Sequence, residues 1–169
     1  MKRVTRSICR LAGLMAIVGV SFSLGFAWKA EAETLSCKGE SCNNLTPVEY
    51  GCDADAQVIG EVTQTITRWQ DLWQPQEIII QHVYSEHCRA NWTKAYVPDG
   101  AFLYIQERDF VDGIQPTRGT LRANGSGYVW ADSNMSAASA VNQACVSLPL
   151  LSNKNGYDLF DRYCTDFNK

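Results

Sequence analysis

The chain has 169 residues, a formal charge of −3 and 46% hydrophobic residues, the size of about one domain. Its 15 lysines and arginines stand against 18 acidic residues, and none of the basic ones cluster after residue 32. That balance argues against nucleic acid or an anionic membrane as the partner.

Residues 1–32 read as an address rather than as fold. Lys2, Arg3, Arg6 and Arg10 precede an apolar stretch from Leu11 to Trp28, and Ala30-Glu31-Ala32 has the small-x-small form that a signal peptidase reads. Cleavage after Ala32 is expected, with an uncleaved anchor as the competing expectation because the apolar run is nearly long enough to span. The segment holds five basic residues against one acidic, so a chain starting at Glu33 carries −7. The expected location is extracytoplasmic, either secreted or periplasmic, with no membrane contact after cleavage.

Seven cysteines less Cys9 leave six: Cys37, Cys42, Cys52, Cys88, Cys145 and Cys164. An even number in an exported chain reads as a disulfide framework, and the 15 ways of pairing six cysteines stay open. Zinc at Cys37, Cys42 and Cys52 is the weaker reading, since tight Cys-x2-Cys pairs and a fourth ligand are lacking.

In chain order, residues 33–56 form an irregular segment broken by Asn43-Asn44, Pro47 and Gly51. Gln57 to Trp69 is rich in β-branched residues and reads as a strand, with Gln70 to Gln76 as its connection. Gln76 to Ser85 is the clearest strand. Ile78, Ile80, His82 and Tyr84 share one face, and Ile79, Gln81 and Val83 the other. A bridge from Cys88 back to the leading segment would clamp the end of this strand. Residues 91–97 and 101–107, around Pro98-Asp99-Gly100, read as a hairpin, the second strand being central. Asp109 to Ser126 reads as a loop or ragged strand, and Gly127 to Ala131 as a short strand. Ser136 to Leu148 reads as the last core strand, interrupted by Pro149, with a helix competing because of its alanines. Leu159, Phe160 and Tyr163 at helical spacing suggest a short C-terminal helix tied down by Cys164. The sum is an all-β domain, a mainly antiparallel sandwich or partly open barrel, over residues 33–169.

Four sequence pieces occur in one order. Cys37-x4-Cys42 with Pro47 comes first, then Gly51-Cys52-x-Ala54-Asp55-Ala56, then Tyr84-Ser85-x2-Cys88-x-Ala90-x-Trp92, then Met135 followed by Ala144-Cys145-Val146. Together they resemble the DUF2690 family of secreted bacterial proteins, which includes the YjfA-like proteins. Val83 stands where family members often have arginine. The resemblance spans roughly residues 37–146 and implies an exported domain of unknown activity, with no catalytic residue to carry over.

The chemistry-bearing residues are scattered. His82 and His87, the only histidines, are at an odd spacing across a strand end and do not form a metal pair on one face. His87 beside Cys88 would make a nucleophile pair only if Cys88 were unbonded. Asp53 with Asp55, and Asp109 with Asp112, are weak carboxylate or calcium candidates that read first as solvated turns. No catalytic motif, cofactor site or metal site emerges. Trp69 and Trp73, near a turn, are the candidate binding surface, whereas Trp92 beside Cys88 is expected in the core. The leading expectation is a monomeric, non-catalytic module for a cell-wall, glycan or protein partner. A small carboxylate-based secreted enzyme, or an inhibitor or toxin, is the alternative.

Overall fold

The computed structural model describes residues 35–108, 116–152 and 158–168. The expected export signal, residues 1–32, lies outside them, as do Asp109 and Asp112. Among the described residues, nine strands follow a leading segment that holds two 3-10 turns, Gly39–Cys42 and Cys52–Asp55. They are β1 (Gln57–Thr67), β2 (Pro75–Ser85), β3 (Ala90–Pro98), β4 (Phe102–Glu107), β5 (Thr117–Arg122), β6 (Tyr128–Asp132), β7 (Ser136–Ala137), β8 (Asn142–Ser152) and β9 (Asp158–Cys164). Among the described residues no helix is long and apolar enough to cross a membrane.

Two antiparallel sheets result. The first runs β1-β2-β3-β6, with β7 also on β3; the second runs β5-β4-β8-β9. The alternation expected in β2 is what the fold uses. Ile78, Ile80 and His82 are buried inward, and across the register Ala95 and Val97 of β3 join them. Leu103 and Ile105 of β4 and Ala144, Val146 and Leu148 of β8 complete this core. Each isoleucine buried there contributes about 1.5–3 kcal/mol. Gly119 permits a close approach that no other residue would. A Cβ there would lie 2.1 Å from the Asn134 carbonyl oxygen, at a φ of +62°.

Two expectations are corrected and a third takes a definite form. β3 and β4 are not a hairpin: β3 pairs with β2, β6 and β7, and β4 with β5 and β8. Pro98-Asp99-Gly100 is instead a corner between sheets. The Asp99 N–H donates to the Gly127 carbonyl (2.8 Å) and the Gly100 N–H to that of Ala123 (3.0 Å), so the turn is bound to the next connection. The C-terminal helix is the strand β9, because Cys164 lies directly opposite Cys145 in the ladder and is bonded to it. A covalent tie to a neighbouring strand overrides a weak helical spacing. The interruption expected at Pro149 is a register shift between Pro149 and Leu151, which accommodates a residue with no N–H to give, and β8 runs on to Ser152.

All six expected cysteines are bridged: Cys37–Cys42, Cys52–Cys88 and Cys145–Cys164. The second is the clamp from the leading segment to the end of β2.

Candidate functional site

The outer face of the first sheet differs from end to end. Directly opposite residues in an antiparallel ladder project to the same side, so the register assigns its rows. Val83 and Trp92 form one row; Glu61, Gln81, Lys94 and Asp132 the next; Thr63, Ile79, Tyr96 and Trp130 the third. Successive rows lie about 7 Å apart along the strands.

The leading segment covers the first row. Val83 and Trp92 are buried there with Cys37, Cys42, Cys52, Cys88 and Met135, and with Leu45 and Tyr50 against them. Asp55 fastens this cover. The Ser85 hydroxyl donates to its Oδ1 (2.5 Å) and the His87 N–H to its Oδ2 (2.8 Å). These bonds, that of Ser85 foremost, hold its carboxyl below the usual range. Asp53 and Asp55 therefore do not act as a pair: in a 3-10 turn, residues two apart diverge. His87 is exposed, and Cys88 is bonded, so no nucleophile pair forms. His82 lies on the opposite, inner face and is only 1% exposed, more buried than its sequence position suggested. Among the described residues its Nε2 has no partner within ordinary hydrogen-bond geometry, and the same holds for Asn91 Oδ1 and Asn142 Nδ2. Burial lowers its pKa to about 4, against a weak opposing effect of the Asn142 side chain.

Where the cover stops, a groove of about 260 Å³ opens between the leading segment and the first two rows, with Val48 and Asp53 on one side and Trp92, Gln81, Lys94 and Asp132 on the other. Asp132 accepts from the Trp92 indole N–H (3.0 Å), which fixes both side chains. Gln81 donates to Glu61 (2.7 Å).

Beyond it the face is aromatic and open. Trp130 is half exposed, with Tyr96 at 5.7 Å between ring centres, and Tyr128 lies 5.8 Å from Tyr96. The planes are tilted by 43° and 39°, an arrangement that aromatic quadrupoles favour. The β1–β2 loop borders this row. Arg68 donates to both oxygens of Asp71 (2.9 and 3.3 Å), the Tyr128 hydroxyl donates to Asp71 (2.7 Å), and the Arg68 guanidinium lies 5.6 Å from the centre of the Tyr128 ring. The Arg68 bond is the main cause of a lowered Asp71 pKa. Burial, then the bond to Asp71, raises the Tyr128 phenol to about 12.

On this anchored base the loop presents Leu72 and Trp73, 81% and 68% exposed. Both have left-handed backbone, at φ +53° and +61°, which is strained for bulky side chains and is kept where the surroundings over-determine it. Trp73 is thus displayed as a surface residue should be. The side chain of Trp69 lies outside the described part of the structure. Sequence reasoning counted Trp130 among the tryptophans that could form a platform but did not single it out, and it missed Tyr96 and Tyr128. Their period-two spacing was visible, but the β3–β6 pairing that brings them together was not.

Comparison with family models, with curated proteins and with solved structures returns no match. The fold and the surface define a disulfide-rich, all-β domain with one face of its first sheet half covered and half open.

Proposed function

We propose that the domain is an extracytoplasmic binding module and that the open half of the first sheet's outer face takes a glycan strand. The observation that carries this is the half-exposed Trp130, in line with Tyr96 and Tyr128 and adjoining the groove with Lys94 and Asp132. Tilted, rigidly held rings offer apolar faces to the C–H surfaces of a sugar, and a neighbouring polar row offers partners for its hydroxyls. Three disulfides and the export-like residues 1–32 support placing the domain outside the cytoplasm, where such partners are found. The resemblance to the DUF2690 family supports export in the same way and adds no activity.

The test is binding to purified peptidoglycan and to neutral oligosaccharides, followed by sedimentation and by tryptophan fluorescence. Trp130→Ala is expected to weaken binding at least tenfold, while Cys145→Ser/Cys164→Ser leaves it within twofold. Equal binding by the unmutated chain and Trp130→Ala would place the ligand elsewhere. No binding to any glycan, with capture of a protein through the same residues, would replace the glycan by a protein partner.

A further inference from the structure

The cysteines of the leading segment lack a fourth thiolate for zinc in the sequence, and the fold supplies it as Cys88. The four Sγ atoms of Cys37, Cys42, Cys52 and Cys88 all lie within 4.8 Å of one another. Across the two bridges, Cys37 Sγ is 3.9 Å from Cys52 Sγ. Tetrahedral zinc bound by four thiolates has Zn–S distances near 2.3 Å, which sets sulfur–sulfur edges of about 3.8 Å. The cross-bridge contact is already at that edge, and side-chain rotation can spread the bonded sulfurs to it once the bridges open.

The backbone around the quartet is held by more than the bridges. The Gly39 N–H donates to the Cys88 carbonyl (2.7 Å), Asn44 N–H to Met135 (2.9 Å), Met135 N–H to Leu45 (2.8 Å) and Cys52 N–H to Pro47 (2.9 Å). The Cys88 N–H donates to Ser85 Oγ (3.1 Å), and the Ala137 N–H to Asn43 Oδ1 (2.8 Å). Opening the disulfides therefore leaves the four cysteines close together. Three of them are fully buried, and Cys37 is 9% exposed. Cys37 borders a shallow hollow of about 340 Å³ with Ser36, Lys38, Ser41 and His87, which gives an ion a way in.

We propose that these four cysteines are a redox-gated zinc site. When both bridges are reduced, the quartet binds one Zn²⁺; oxidation expels the ion and re-forms the bridges. Reduction by a dithiol delivers two electrons and two protons to each disulfide, and the dithiol becomes its own disulfide. Zn²⁺ then displaces four thiol protons and forms four Zn–S bonds. Two equivalents of an incoming disulfide reverse this: each takes two electrons from a pair of thiolates and two protons from water to become a dithiol, so that two S–S bonds form and Zn²⁺ leaves. The site is independent of whether the aromatic face binds a glycan.

The test uses the full chain, reduced by a phosphine without oxygen and titrated with Co²⁺ and then Zn²⁺. Expected are the thiolate-to-cobalt charge-transfer band and ligand-field bands of a tetrahedral tetrathiolate, saturating at one ion per chain and lost on adding equimolar Zn²⁺. Compared with the reduced, metal-free chain, Zn²⁺ should slow alkylation of Cys37, Cys42, Cys52 and Cys88, read by peptide mass, and leave that of Cys9, Cys145 and Cys164 unchanged. Cys145→Ser/Cys164→Ser should keep the full band, and Cys88→Ser should lose its tetrathiolate form. The alkylation map of the unmutated chain decides independently of how Cys88→Ser folds. Absence of the band, or protection that extends to Cys145 and Cys164 or omits any of the four, overturns the site.

Discussion

The two ends of one sheet face solve the same problem in opposite ways. Trp92 and Trp130 both lie on the outer face of the first sheet, two rows apart. Trp92 is 2% exposed beneath a cross-linked segment, and Trp130 is 50% exposed, with none of the described residues covering it. A sheet face that needs cover receives it from bridges and turns where no regular element is available. The same face left bare, yet rigid and aromatic, is where a partner has reason to sit.

The comparison breaks most completely if the cover is released. Cys52→Ala/Cys88→Ala removes a bridge between residues 36 apart, with an expected loss of about 4 kcal/mol in denaturant unfolding. Cys37→Ala/Cys42→Ala, closing a separation of only 5, should lose about 2 kcal/mol. An equal or reversed order of the two losses would mean that the length of the closed loop does not set what each bridge contributes.

The next effect lies on the inner face of the same sheet. The folded pKa of His82, about 4, is below its ordinary 6.5, so the fold favours neutral imidazole. The stability this reflects is complete above pH 6.5 and is lost as pH falls toward 4, by roughly 3 kcal/mol. His82→Gln should flatten the stability profile over that window. A profile as steep as that of the unmutated chain would assign the acid sensitivity to carboxylates such as Asp55 instead.

How much of this was legible in sequence follows the same division. Strand content, six bridging cysteines and the burial of Trp92 all rest on local signals: β-branched runs, an even cysteine count, a tryptophan beside a cysteine. The β3–β4 relation was misread because Pro98-Asp99-Gly100 reads the same whether the chain turns back on itself or crosses to another sheet. The aromatic row was not legible because Tyr96 is separated from Tyr128 and Trp130 by two strands of the other sheet. The Cys52–Cys88 pairing was open for the same reason. What local spacing cannot report is which distant strand becomes a neighbour.

A smaller effect sharpens the open end. Tyr128→Phe removes the hydroxyl that ties β6 to Asp71 while keeping the ring against Tyr96 and Arg68. Because Arg68 still engages Asp71, the expected loss is only about 1 kcal/mol by thermal or denaturant unfolding. The loop carrying Leu72 and Trp73 should become more mobile, read as a drop in tryptophan anisotropy. Unchanged anisotropy would show that the strained backbone is held by Arg68 and Asp71 alone.

The smallest expected change in stability is the most informative about function. Trp130→Ala takes a large ring from an exposed position, so unfolding should shift by no more than about 0.5 kcal/mol. The same truncation at Trp92, which is buried and donates to Asp132, should lose about 3–5 kcal/mol. A residue that can be removed without harm to the fold, yet sits in a row held by Tyr96 and, through Tyr128, by Asp71 and Arg68, is positioned for something other than folding. Measured together, unfolding and glycan binding separate the two roles. Trp130→Ala should leave the first intact and abolish the second, whereas a loss of several kcal/mol would make Trp130 part of the structure and return the open face to the same account as the covered one.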